Sequence, residues 1–110
     1  MTIRKVINQM MNISEITHDK DNNQLYLEAG ENNLRALVDY KIKNDKMYLT
    51  HSEVPVELRG NGIGKILIKK TLEKLVEEGY DKQYTIIATC PFIVYFVEKN
   101  QEWSEIIHLQ

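Results

Sequence analysis

The chain has 110 residues, of which 43% are hydrophobic and 27% charged, and its formal net charge is −2. This size and composition suit one soluble globular domain spanning residues 1–110, and a pI near 5.9 disfavours a dedicated nucleic-acid binder. No apolar run approaches the ~20 residues that a membrane-spanning helix needs. The N-terminal Met1-Thr-Ile-Arg-Lys5 leads to Asn8 and Gln9 rather than to an apolar signal core, which disfavours a secretory signal. The single cysteine, Cys90, cannot form an internal disulfide, so we expect a cytoplasmic protein.

The first half of the chain reads as a series of strands. Residues 1–13 show no clean period, so an extra strand, a short helix and a docking arm all stay open. Apolar and polar residues alternate over Gln24–Ala29 and again over Leu34–Ile42, and a third strand is expected over Met47–Val54. Short segments rich in Asn, Asp and Gly separate these runs, as turns between strands require. We therefore predict an antiparallel meander.

The second half predicts helices between strands. Apolar residues recur at helical spacing from Ile63 to about Glu78, and Gly79 follows as the expected C-cap. The short apolar run Tyr84–Cys90 reads as a strand buried on both faces. Residues 92–99 read as a second helix, and residues 103–109 as a terminal strand or a docked tail. The strand–helix–strand order makes strands 47–54 and 84–90 parallel, which gives an α/β fold with a mixed sheet.

The inward face of the first helix follows from the same period. Five residues share that face and are expected to be buried: Gly64, Ile68, Leu72, Leu75 and Val76.

A glycine-rich segment joins the third strand to this helix. It reads Arg59-Gly-Asn-Gly-Ile-Gly-Lys65, and Lys69 and Lys70 follow without an intervening acid. Glycine allows positive φ and a close approach to a ligand, and the helix start adds unpaired amides and the positive end of its dipole. The segment therefore predicts an anion site, most naturally for phosphate. The alternative is a tight connection that holds no ligand.

Two common phosphate motifs do not fit the segment. A P-loop would need a glycine at Arg59 and a hydroxyl at Ile66, so a nucleoside triphosphatase is rejected. A dinucleotide fingerprint, Gly-x-Gly-x-x-Gly, does not match because the spacing to the last glycine is wrong. Asp81, the candidate carboxylate for the ribose, lies before the next strand rather than at its end. The remaining pattern is Arg-x-x-Gly-x-Gly.

This pattern resembles the acetyl-CoA signature of the GNAT superfamily of N-acetyltransferases. The resemblance covers about residues 14–103 and includes Glu53-Val-Pro before the glycines and Cys90-Pro-Phe92 after them. It is closest to the small, single-domain branch of that superfamily. It implies an α/β GNAT-like fold in which the two parallel strands part to admit the cofactor.

The resemblance also implies where acetyl-CoA would bind. Pro55 cannot donate a ladder hydrogen bond, so pairing should fail just past Val54, and the pantetheine arm would pair with backbone near Val54 and Val56. The pyrophosphate would lie on the main-chain amides of the glycine segment. These cofactor-binding residues are Arg59, Gly60, Asn61, Gly62, Ile63, Gly64 and Lys65.

Two residues are candidates for catalysis. Acetyl transfer to an amine needs a group that removes a proton. Glu53 lies at the end of the cofactor strand, and the resemblance to the wider superfamily implies that it is the general base, directly or through water. His51 shares its face and is a second candidate. Cys90 precedes Pro91 at a helix start, where the dipole favours a thiolate, and the resemblance gives it a role as acyl acceptor or as a thiol facing the cofactor sulfur. The plainer alternatives are solvated polar residues and a buried, inert cysteine.

Parts of the superfamily pattern are missing. The tyrosine that often acts as general acid aligns with Phe96, and Tyr95 is one position away. A histidine-containing segment of the small branch is Asn100-Gln-Glu-Trp103 here. His18 and His108 belong to no recognisable metal-binding motif, so no metal is predicted.

The sequence therefore predicts an acetyl-CoA-dependent N-acetyltransferase that acts on an unidentified amine of a small molecule or a protein. Because the short chain lacks the helical pair that many larger relatives carry, the acceptor side is expected to be open. The alternative is a non-catalytic module that binds CoA or acyl-CoA, and a third possibility is nucleotide binding. Nothing in the sequence decides the oligomeric state.

Overall fold

The computed structural model describes residues 12–110. Over these residues, six strands form one mixed sheet in the order β1-β2-β3-β4-β5-β6. The first four strands pair antiparallel, whereas β4 with β5 and β5 with β6 are parallel. The strands are β1 (Thr17–Asp19), β2 (Gln24–Ala29), β3 (Leu34–Lys43), β4 (Lys46–Glu53), β5 (Thr85–Ala88) and β6 (Ile107–Leu109).

Three helices accompany the sheet in the described part of the chain. They are α1 (Ile63–Glu77), α2 (Tyr80–Gln83) and α3 (Pro91–Lys99). Helix α1 packs on β2 and β3, α3 packs on β4 and β5, and the two helices touch each other, so both cover the same face. The predicted α/β fold with an antiparallel meander and a parallel βαβ unit is confirmed.

The hairpin turns explain why the meander folds as the sequence predicts. Asn23, Asn33 and Asn44 each adopt positive φ between 49° and 59° at a turn between strands. Asn tolerates this left-handed conformation better than most residues because its short amide can bond nearby backbone. The turns set the register that places Leu25 opposite Val38 on the buried face of the sheet.

Several element boundaries differ from the predictions. Strand β4 ends at Glu53 rather than Val54, and β5 covers only Thr85–Ala88 because Pro91 already begins α3. In β5 only Ile86 and Ala88 are buried, so one face of the strand is buried and the prediction that both faces are buried was wrong. The terminal segment predicted over residues 103–109 ends in the short strand β6, which follows a 3-10 turn over Gln101–Trp103. The three alternatives for residues 1–13, an extra strand, a short helix or a docking arm, concern a segment that lies outside the described residues apart from Asn12 and Ile13.

Helix α1 buries a face somewhat different from the expected one. Val76 is 36% exposed, and the prediction that it is buried was wrong because the sheet contacts lie further toward the face of Leu67 and Thr71. The hydroxyl of Thr71 is buried and has no hydrogen-bond partner among the described residues. A hydroxyl in such a place costs stability. The buried residues of α1 are Ile63, Leu67, Ile68, Thr71, Leu72 and Leu75.

A histidine-centred contact joins β1, β3 and the end of α1. His18 Nδ1 lies 2.6 Å from Glu78 Oε1, and His18 Nε2 lies 2.6 Å from the hydroxyl of Tyr40. Burial would raise the pKa of Glu78, but the hydrogen bond and charge of His18, with Lys20 and Lys74, lower it below its usual value. Burial, with smaller effects of neighbouring groups, raises the pKa of Tyr40 to about 12. The histidine is therefore part of a structural network.

No helix within residues 12–110 has the length and apolar character that crossing a bilayer would require.

Candidate functional site

The parallel strands β4 and β5 separate in the middle of β4. Their pairing ends at Leu49 and Ala88, and the amides of Thr89 and Cys90 then both donate to the Leu49 carbonyl, at 3.1 and 3.0 Å. Strand β4 continues to Glu53 with β3 as its only partner in the sheet among the described residues. The parting was expected just past Val54. It occurs earlier because β5 turns into α3, rather than because Pro55 ends the ladder.

A β-bulge lies at the point where the strands part. Asp39 pairs with His51 and Tyr40 pairs with Leu49, which leaves Thr50 as the extra residue. A bulge shifts the alternation of side chains by one. As a result Ser52, whose cross-strand partner is the buried Val38, lies on the helix-covered face. The sequence pattern alone does not show this shift.

The glycine segment turns the chain into α1 with an open backbone. Gly60 and Gly62 have φ of 83° and 76°, and a Cβ at either would meet no described heavy atom within 4 Å. Gly62 is the N-cap of α1, and no side chain of residues 12–110 caps this end. The first amides of α1 are therefore free for an anion, and the helix dipole favours a negative charge there.

Gly64 has a different reason to be glycine. It lies within α1, and a Cβ there would stand 2.8 Å from Cζ of Phe92. The phenyl ring at the start of α3 therefore lies against the first turn of α1. This close packing joins the two helices at the mouth of the parted strands.

A cavity of about 860 Å³ opens between the parted strands and the glycine segment. Its volume falls in the range of small-molecule and cofactor sites. Arg35, Ser52, Leu58 and Phe92 also contribute to its wall, and none of the four was among the predicted site residues. The predicted site residues that line it are Glu53, Val54, Arg59, Gly60, Gly62, Ile63, Gly64 and Lys65.

Three of the predicted residues do not line this cavity. Val56 lies in a 3-10 turn over Val56–Leu58 and is 68% exposed. The Asn61 side-chain amide donates to the carbonyls of Leu58 and Arg59, so it braces the turn from within. Cys90 is buried beneath the cavity wall. The roles assigned to these three residues from the resemblance stay predictions.

Arg59 is fixed at the cavity mouth. Its Nε donates to the carbonyl of Val54 at 3.0 Å, and the side chain bridges the end of β4 and the glycine segment. Lys65, six residues further on, lies in the first turn of α1 on the same cavity wall. Both cations are therefore close to the uncapped helix terminus, which strengthens its preference for an anion.

Glu53 and His51 form the polar end of the cavity. Their side chains face away from the helices, since their partners in β3 are Leu37 and Asp39 rather than the buried Val38. His51 Nε2 lies 3.7 Å from Glu53 Oε1, and both side chains are more than half exposed. The pair is accessible from solvent and from the cavity, as a group that exchanges protons with a substrate must be.

Cys90 reaches the cavity only through a neighbour. Its Sγ lies 3.3 Å from Ser52 Oγ, and Ser52 lines the cavity whereas Cys90 does not. Sequence reasoning missed Ser52 because its position depends on the bulge. Tyr95, the doubtful general acid, is 55% exposed and does not line this cavity either. Within residues 12–110 no cluster of three or more His, Cys, Asp or Glu side chains could hold a metal ion.

Comparisons with known proteins identify the family of this chain. The family model described as GCN5-related N-acetyl-transferase matches residues 24–106. Protein NATD1 from Gallus gallus is 31% identical over 97 residues, which cover 87% of this chain and 84% of the relative. Protein NATD1 from Bos taurus is 33% identical over 86 residues, covering 77% and 73%, and the Danio rerio protein is 31% identical over 97 residues, covering 84% of each chain. These matches confirm the resemblance seen in the sequence, and the chain belongs to the GCN5-related N-acetyltransferase family.

Proposed function

We propose that this protein binds acetyl-CoA and transfers its acetyl group to an amine. The observation that carries the proposal is the parting of β4 and β5 beside the uncapped start of α1. A parted pair of strands offers unpaired backbone groups for an extended amide-bearing chain, and the helix start offers amides for a diphosphate. Coenzyme A has both parts, joined in this order.

The described residues fit this ligand. The open positions of Gly60 and Gly62 let the backbone approach phosphate oxygens without a clash, and Arg59 and Lys65 add positive charge on the same wall. An acetyl thioester in the cavity would supply an activated acyl group. The residues near the parted strands then need only orient an amine and move protons.

Glu53 is the proposed general base. Its carboxylate takes a proton from the incoming ammonium group, directly or through water, because only the neutral amine is nucleophilic. The nearby His51 is the group able to pass that proton to solvent. Because both side chains are largely exposed, the acceptor can approach from solvent, as expected for a small-molecule or protein amine.

Cys90 and Ser52 are proposed to act on the cofactor side. Two roles remain for the Cys90 thiol: it accepts the acetyl group, or it faces the departing sulfur and helps to return its proton. The contact between Ser52 and Cys90 supports the second role, because Ser52 separates the thiol from the cavity.

A direct test follows release of free thiol from acetyl-CoA with a panel of amines. We expect turnover with at least one primary amine, and we expect Glu53→Gln to lower kcat by about 10²-fold or more. Glu57→Gln is the matched control, since Glu57 is exposed in the turn before Arg59 and does not line the cavity. Equal rates for the two variants would contradict the role of Glu53.

Thermal unfolding with added CoA, ATP or NAD, read together with the turnover assay, separates the enzyme from the two alternatives. If CoA stabilises the protein against thermal unfolding but no amine gives turnover, the protein is a non-catalytic CoA-binding module. If ATP or NAD stabilises it more than CoA does, the site is one for nucleotides and the proposal is wrong.

A further inference from the structure

Arg35 lies on the same face of the sheet as the proposed general base. It alternates along β3 with the buried Ala36, so its side chain points away from the helices, as the side chain of Glu53 does. Leu37 pairs with Glu53, and Arg35, two residues before Leu37, is therefore diagonal to Glu53. Diagonal neighbours in an antiparallel pair stand about 7–8 Å apart. Both side chains line the cavity between the parted strands.

The guanidinium of Arg35 is stacked on an aromatic ring. Its Cζ lies 3.6 Å from the centre of the Tyr26 ring. The face of a ring attracts the cation, whereas the N–H groups of a stacked guanidinium point outward along its edge. Tyr26 pairs with Leu37, and Leu37 pairs with Glu53, so the stack lies one strand away from the general base.

The outward N–H groups have no carboxylate partner in the described part of the chain. Glu28 is directly opposite Arg35 in β2, yet the two side chains do not form one of the ion pairs of the described residues. Arg59, in contrast, donates to the carbonyl of Val54, and with Lys65 it belongs to the wall that the proposed function assigns to the diphosphate. Arg35 is the arginine of the cavity to which that function gives no role.

A guanidinium with a free edge suits a carboxylate. The two oxygens of a carboxylate accept parallel hydrogen bonds from one guanidinium, and the planar group loses little conformational freedom when it forms them. Glu53, on the neighbouring strand, is suited to an ammonium group. A molecule with an ammonium group at one end and a carboxylate at the other therefore meets a complementary side chain at each end. Because the two side chains are diagonal neighbours, several carbon atoms between amine and carboxylate are needed to reach both.

We propose that the acceptor is a small amino acid whose amine and carboxylate are several carbon atoms apart, and that Arg35 binds the carboxylate. This inference rests on the proposed function, because it takes the acetyl thioester to lie in the same cavity. The nitrogen–carbon bond forms as the carbon–sulfur bond of the thioester breaks. Of the two protons that the ammonium group loses, one passes to Glu53 and the other ends on the thiol of CoA. Tyr26, which does not line the cavity, is a positioning residue for Arg35.

Acetylation of γ-aminobutyrate and of its neutral amide, γ-aminobutyramide, tests the role of the carboxylate. Wild type should have a roughly ten-fold higher kcat/KM for the acid, as expected for hydrogen bonds to a charged group. Arg35→Met keeps an aliphatic stem and should abolish this preference. Lys41→Met is the matched control, since Lys41 is exposed on the same strand and does not line the cavity, and it should keep the wild-type preference. Thermal unfolding checks that each variant is folded.

The contribution of Tyr26 is measured by the same preference. Tyr26→Leu should reduce the preference for the acid part of the way, because the guanidinium loses the ring that orients it. In the Arg35→Met background the same substitution should leave the preference unchanged, since there is no guanidinium to orient. If Tyr26→Leu lowers kcat/KM equally for the two substrates, the ring does not position Arg35.

The outcomes separate this inference from the function on which it rests. If wild type acetylates the acid and the amide with equal kcat/KM, or if Arg35→Met keeps the wild-type preference, Arg35 does not bind the carboxylate of the acceptor. The inference is equally wrong if other primary amines are acetylated and these two are not. In each of these cases the proposed function survives, because an amine has been acetylated. If no amine is acetylated, the proposed function fails and the inference fails with it.

Discussion

The phenyl ring of Phe92 occupies the place that a side chain on Gly64 would fill, since a Cβ there would lie 2.8 Å from Cζ of the ring. The contact ties the first turn of α1 to the first turn of α3, beside the cavity between the parted strands. Position 64 thus needs a glycine because the Phe92 ring leaves no room for a side chain there. Gly60 and Gly62, in contrast, are required by their own backbone conformation, since both have positive φ.

Gly64→Ala should therefore lower stability only while the ring is present. In wild type the added methyl group displaces Phe92, and we expect the free energy of unfolding to fall by about 1 kcal/mol or more. In a Phe92→Ala background the same substitution meets no ring, and the better helix propensity of alanine should raise stability by roughly 0.5 kcal/mol. Chemical denaturation of the four proteins of this double-mutant cycle measures both effects.

The variants of this double-mutant cycle also test the binding of CoA. Because Phe92 lines the cavity, its displacement by Gly64→Ala should weaken CoA binding. Equal stability changes for Gly64→Ala in the two backgrounds would show that the ring and the methyl group do not compete.

Glu78 should make the protein sensitive to acid. Its pKa is lowered below the usual value of 4.5, because the hydrogen bond and charge of His18, with Lys20 and Lys74, outweigh the opposing effect of burial. A lowered folded-state pKa contributes stability above pH 4.5 that is lost as the pH falls through the folded value. Glu78→Gln keeps an acceptor for His18 and removes the charge, so it should lose less stability than wild type between about pH 6 and pH 3.

Thermal unfolding across this pH range measures the difference. Glu73→Gln is the control, because Glu73 is exposed on the same helix and should leave the wild-type pH dependence unchanged. If Glu78→Gln and wild type lose stability in parallel, the network around His18 does not depend on the Glu78 charge.

Local patterns were enough to predict most of the fold. Strand β2 has the predicted bounds, and α1 begins at Ile63 as expected, because alternation, helical periodicity and glycine turns are properties of neighbouring residues. The glycine segment was also visible, since its chemistry is contained in seven consecutive residues. The contact of His18 with Glu78 was not, because 60 positions separate the two residues.

The parts of the site that depend on the sheet could not be read from the sequence. One extra residue at Thr50 moves Ser52 to the helix-covered face, and nothing in the residues around it marks the bulge. Likewise the sequence did not predict the close contact between Gly64 and Phe92, and the cofactor-binding role of Gly64, which lines the cavity, stays a prediction. Such features follow from packing between distant segments, which a periodic pattern does not encode.

The buried hydroxyl of Thr71 predicts a stabilising substitution. It has no hydrogen-bond partner among the described residues, and a methyl group of similar size would not need one. Thr71→Val should therefore raise the free energy of unfolding by about 1 kcal/mol, since the helix propensities of the two residues are similar. Thr89→Val should do the opposite, because the Thr89 hydroxyl donates to the carbonyl of Leu49 at 3.2 Å. Denaturant unfolding of both variants gives the comparison.

The contact between Ser52 and Cys90 predicts coupled effects on turnover. If the Ser52 hydroxyl relays a proton between the buried thiol and the cavity, Ser52→Ala should lower kcat by about ten-fold or more and leave KM nearly unchanged. Ser52→Thr keeps the hydroxyl and should restore most of the rate. Cys90→Ala should have a similar effect, and the double variant should be little worse than either single one, because both changes interrupt one path. Additive losses in kcat would show that the two residues act separately, and a full rate in Ser52→Ala would remove Ser52 from the chemistry.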